Sequence, residues 1–133
     1  RMVKIDTDGF DCKIMRGAAD WLKGEGPVLF FEYDPHHLAE QGDDGYPIFG
    51  QLRDWGYEGM LVYEGNGDYM LSLELSQELL VKELHTYFLG RGSRKYANLC
   101  LFQLNDHRLF EECRAAELEH AFALRSAAAP KNT

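Results

Sequence analysis

The sequence is poor in positive charge: 14 Lys and Arg stand against 22 Asp and Glu, a formal net charge of −8. That balance argues against a nucleic-acid partner, because phosphate backbones are bound by clustered cations. No segment approaches the roughly 20 consecutive apolar residues needed to cross a bilayer, so no membrane partner is expected. Cysteine is scarce and unpaired in pattern: Cys12, Cys100 and Cys113 lie far apart, and no C-x-x-C occurs. A disulfide framework and a cysteine-rich zinc site are thereby excluded. Cys12 and Cys100 sit in apolar patterns and read as small core residues with reduced thiols, which points to a cytoplasmic setting. A glycine-rich turn leading into a helix is also missing. "EGNGDY" has the glycines, but they fall between two apolar runs, where no helix N-terminus follows.

What remains is a chain of globular composition, 133 residues with 45% hydrophobic and 13% aromatic content. It is long enough for one domain with a real core. Met2 to Ile5 reads as a short buried strand. Gly9 to Lys23 carries Phe10, Ile14, Ala18 and Leu22 at helical spacing, with Gly24 and Gly26 ending the helix. "PVLFFEY", Pro27 to Tyr33, is a continuous apolar run closing on an acid, as in a strand buried on both faces. Strand, helix and strand within about thirty residues form a βαβ unit with a parallel pair. Both strands then end on one edge of an α/β sheet, the edge where ligands bind.

Further on, "DPHHLAEQGDDGYP" is a polar loop with a short turn at His37 to Glu40, and Ile48 to Trp55 is a short helix closed by Gly56. "EGMLVYEGNGDYMLSLEL" is a hairpin about Gly65-Asn66-Gly67. Ser76 is expected to cap the amphipathic helix "SQELLVKELHTYFL". "ANLCLFQL" is another buried strand, and Asp106 precedes a last helix with Leu109, Phe110, Cys113, Leu118 and Phe122 apolar. Residues 125–133 read as a flexible tail behind one domain spanning 1–124.

The acids of "VKIDTDGFDCKIMRGA" carry the chemistry. A calcium loop of the EF-hand type needs glycine sixth and glutamate twelfth. Here, counting from Asp6, glycine is fourth and Gly17 is twelfth. "DTDGF" also resembles the D-x-D-G nucleophile loop of haloacid-dehalogenase-type phosphatases. Those enzymes need a Ser or Thr after a second strand, which "FFEYDP" does not provide. A partner-binding module that uses an open sheet edge is a third reading.

A longer pattern goes further. "VKIDTDGFDCKIMRGAADWL" followed by "PVLFFEYDP" resembles the FkbM family of S-adenosylmethionine-dependent methyltransferases, with Lys4, Ile5, Asp6, Asp8, Gly9, Asp11, Ile14, Arg16, Gly17 and Ala18 matching its recurring stretch. Asp8 and Asp11 stand where Glu is commoner, a shorter acid of the same charge. The likeness extends loosely to about Phe102. It implies a Rossmann-like sheet of parallel strands that ends in an antiparallel hairpin. The segment would be that sheet's C-terminal half, and the strands carrying the glycine-rich cofactor loop would precede it.

It further implies S-adenosylmethionine as cofactor and a hydroxyl of a small molecule or glycan as acceptor. Asp6 would sit beside the donor methyl as central catalytic and cofactor-binding residue. Asp8 would assist as base or orient the acceptor, and it equally suits the N-cap of the next helix. Asp11 would match the helix dipole. Glu32 would face Asp6 across the cleft, where like charge raises one pKa and suits a general base. His36 is a further catalytic candidate. Asp34, His37 and Tyr46 are acceptor-binding candidates, and no metal is implied. Arg91, Arg94 or Lys95 could reach an acidic acceptor. Tyr46, Phe49, Trp55 and Tyr57 either wall the pocket or pack the core, while His85, His107 and His120 read as surface residues. A first strand lacking its neighbour would leave unpaired backbone groups and favour self-association through that edge.

Overall fold

A computed structural model describes residues 1–90 and 95–128. Its elements follow the expected order, with one helix divided. Strand β1 (Met2–Ile5) leads to α1 (Asp11–Gly17) and α2 (Ala19–Glu25), then β2 (Val28–Tyr33), α3 (Pro35–Glu40) and α4 (Ile48–Asp54). The hairpin β3 (Tyr57–Glu64) and β4 (Tyr69–Glu74) follows, then α5 (Glu78–Leu89), β5 (Ala97–Gln103), a 3₁₀ turn over Leu104–Asp106, and α6 (His107–Ala128). The protein is α/β, built on a five-stranded open sheet ordered β1-β2-β5-β3-β4. β1 and β2 are parallel, and every other pairing is antiparallel. Among the described residues no helix is long and apolar enough to cross a membrane.

The sheet separates two layers. Leu29, Phe31 and Tyr33 alternate along β2 toward the main core, where α1 to α5 pack. Val28, Phe30 and Glu32 face the other way, toward a smaller cluster of Leu61, Cys100, Phe102 and Phe110 that only the start of α6 covers. Local chemistry explains several boundaries. Asp34 caps α3, accepting hydrogen bonds from the backbone N–H of His36 (3.0 Å) and His37 (3.2 Å), with Pro35 in the first turn. Gly67, at φ +94°, supplies the left-handed residue of the β3–β4 turn.

Four expectations are corrected. β1 is an edge strand with Met2 and Lys4 exposed, not a buried one, and its outer edge carries no partner among the described residues. The first helix breaks at Ala18 (φ −104°, ψ 14°), which resets its phase, so Phe10 and Ile14 are 44% and 43% exposed while Cys12 and Met15 are buried. Ser76 does not cap α5: the helix starts at Glu78 with Gln77 as N-cap, and the Ser76 N–H donates to Glu58. Among the described residues of α6 only Phe110 is buried, Leu118 and Phe122 face solvent, and the helix continues through Ala128 into the segment read as a tail.

Candidate active site

The register of β1 and β2 creates the site. Ile5 pairs with Phe31 and Lys4 with Phe30, so Asp6 emerges from β1 level with Glu32 on β2. Strand alternation puts Lys4 and Asp6 on the same face as Phe30 and Glu32, and the Lys4 ammonium lies 5.7 Å from the Phe30 ring centroid. On the other side of β2, Glu32 pairs with Asn98 of β5. A groove of about 230 Å³ opens here, with Lys4, Asp6, Phe30, Glu32, Tyr96 and Asn98 among its walls. The Tyr96 ring lies against Gly65, where a Cβ would come within 2.6 Å of it, and the Tyr96 hydroxyl donates to the Gly65 carbonyl at 3.3 Å.

Electrostatics single out Glu32. Burial pushes its carboxyl up to about 7, helped by hydrogen bonding to Asp6 and by the nearby charges of Asp6, Asp11 and Asp34. None of the ion pairs among the described residues supplies a cation to Asp6, Asp11 or Glu32.

The loops behind the groove are packed tightly. Asp8 has φ +52°, unusual for a non-glycine residue, and Gly9 follows at φ +109°. A Cβ on Gly9 would meet the His37 carbonyl oxygen at 2.4 Å, so only glycine lets the β1–α1 turn press against α3. Asp8 is not the helix cap: Phe10 holds that position, without a side-chain cap bond. Asp11 is 1% exposed. Its Oδ1 accepts from the Thr7 N–H (3.1 Å) and hydroxyl, and its Oδ2 from the Glu32 N–H (3.2 Å).

The other candidates divide. Asp34 is buried and serves as the α3 cap. Nδ1 of His37 lies 3.4 Å from Asp34 Oδ2. That nitrogen and Nε2 of His36 are buried without a hydrogen-bond partner among the described residues. Asp8, Glu32 and His37 bring one donor atom each within 4.8 Å of one another.

Tyr46 is elsewhere: it packs edge-on against Phe49 and tilted against His85, at 6.2 and 4.9 Å between ring centroids, and lines a separate cleft with Pro47 and Arg53. Phe49 and Tyr57 are core residues, and the Tyr57 hydroxyl donates to the Pro27 carbonyl at the opposite end of β2. His85 is no free surface residue, since its Nδ1 is 2.6 Å from the hydroxyl of buried Tyr33, and burial lowers its pKa. Lys95 turns to the Tyr87 hydroxyl at 2.8 Å, while Arg91 and Arg94 lie outside the described residues.

Sequence reasoning missed Lys4, Tyr96 and Asn98. The signal for Asn98 was a lone amide inside the apolar run "ANLCLF". No family model, curated protein or solved structure matches the chain.

Proposed function

We propose that this chain forms the acceptor-facing part of a Rossmann-like, FkbM-type methyltransferase that methylates a hydroxyl of a small molecule or glycan, using S-adenosylmethionine. The observation that carries the reading is the Asp6–Glu32 carboxyl pair at the carboxyl ends of two adjacent parallel strands, opening on a polar groove. The resemblance of residues 4–18 to the family's recurring stretch is consistent with it.

The residues present suit the cofactor in one respect: carboxylates without a counter-cation attract a sulfonium. Asp6 would hold that side of the group. When bound, S-adenosylmethionine supplies a methyl group already activated for displacement. The protein's share is then to orient the acceptor and receive its proton. Glu32, titrating near 7, can accept the hydroxyl proton at neutral pH, with Asp6 hydrogen-bonded to it. Asn98 and Tyr96 offer further polar atoms to orient the acceptor. Methyl transfer at near-neutral pH should therefore rise with an apparent pKa close to that of Glu32.

The test uses the native protein, labelled S-adenosylmethionine and a panel of hydroxyl acceptors. Asp6→Ala should abolish label transfer while leaving the circular dichroism unchanged. Wild-type turnover in that variant would remove Asp6 from the mechanism.

A further inference from the structure

We propose that Asp11 is a positioning residue, a buried clamp that fixes the Asp6 and Glu32 carboxyl groups against each other. The inference deepens the reading above and rests on the carboxyl pair it describes.

An acid in the first turn of a helix ordinarily lies at the surface and favours the helix dipole through water. Asp11 is 1% exposed, so that role does not explain its position. Its carboxylate instead spends each oxygen on a different strand end. Oδ1 takes the N–H and hydroxyl of Thr7, the residue that follows Asp6, and Oδ2 takes the N–H of Glu32 itself. One planar group thus ties the β1 loop to β2 beside both members of the pair. A buried carboxylate is tolerated where its oxygens are hydrogen-bonded. Asparagine in its place would turn one acceptor into a donor that faces another donor.

The charged or titratable groups around Glu32 are Lys4 and Asp6 from β1, Asp8 from the following turn, and Asp11 from α1. Asp34 and His37 come from the α3 side, and Tyr96 from the start of β5. Of these, Asp11 alone also hydrogen-bonds the Glu32 backbone.

A carbon NMR titration of the Glu32 side-chain carboxyl tests the clamp without any methyl donor. In Asp11→Asn, with the amide spectrum showing an intact fold, the Glu32 midpoint should fall by at least about one pH unit toward the ordinary glutamate value of about 4.3. Thr7→Val keeps the Asp11 charge and removes one bond, and it should lower the midpoint by a smaller step. A folded Asp11→Asn variant with the wild-type midpoint would overturn the proposal. So would a midpoint lowered in Asp11→Asn yet unmoved in Thr7→Val, since Asp11 would then act through charge alone. If the midpoints behave as expected but no hydroxyl acceptor is methylated, the clamp stands and the methyl-transfer reading falls.

Discussion

Asp43 and Glu32 are both carboxyl groups at least partly withdrawn from water, and their pKa values move in opposite directions. Asp43 receives two guanidinium hydrogen bonds from Arg16, at 2.7 and 3.1 Å, and the Gly45 N–H at 3.0 Å. Arg16 accordingly holds it below the usual carboxylate range. Glu32 has acids for neighbours and is pushed up to about 7. The fold can pair a buried acid with a cation, and does so where the acid joins α1 to the loop after α3. It leaves Glu32 without one, on the wall of an open groove. An arrangement that raises the pKa of an acid in a cleft is how general bases are built.

Breaking the compensated side should have the largest effect on stability. Arg16→Ala orphans a buried carboxylate, and urea unfolding should show a loss of about 3 kcal/mol, the low end for such pairs because Arg16 is partly open to water. Gly9→Ala comes next. Its φ of +109° and the His37 carbonyl at 2.4 Å leave no room for a methyl group. A loss of about 2 kcal/mol is expected from backbone strain alone, along with a change in the Glu32 titration as the turn is pushed off α3.

The smallest effect is a pH dependence. Unfolded Glu32 ionises near 4.5, while the native group keeps its proton up to about 7. The native state thus binds more protons across that window, and the stability this group contributes is fully present below about 4.5 and lost as pH rises through about 7. Asp43 runs the other way, contributing stability above its unfolded value that is lost in acid. Glu32→Gln should flatten the decline in melting temperature between about pH 5 and about pH 8, and Arg16→Ala should not.

The Glu32 side of this comparison was legible beforehand in outline, while the Arg16–Asp43 pair was not. The acids at the ends of two parallel strands, and their mutual approach, follow from "KIDTDG" and "FFEYDP" in a βαβ frame. The phase of α1 was not legible. Helical spacing put Phe10 and Ile14 inward, but the break at Ala18 turned that face to water and buried Asp11 instead. Gly17 stands at the end of α1, directly before the bend, but a single glycine inside an otherwise helical pattern is tolerated often enough that it does not by itself mark a break. The groove's far wall was hidden for another reason. Asn98 reaches Glu32 only because β5 inserts between β2 and β3, a long-range pairing that local pattern does not encode. Tyr46 lines a different cleft from the carboxyl pair, and aromatic content does not tell which wall a ring will join. Its partners, Phe49 and His85, come from α4 and α5 and pack on Tyr33, on the face of β2 opposite to Glu32.

The most direct measurement is the carbon NMR titration of the Glu32 carboxyl in the wild-type protein beside Asp6→Asn. The pair predicts a wild-type midpoint near 7 that falls when Asp6 loses its charge. A wild-type Glu32 titrating in the ordinary carboxylate range, or unmoved by Asp6→Asn, would contradict the coupling of the two strand-end acids and remove the ground for the proposed general base.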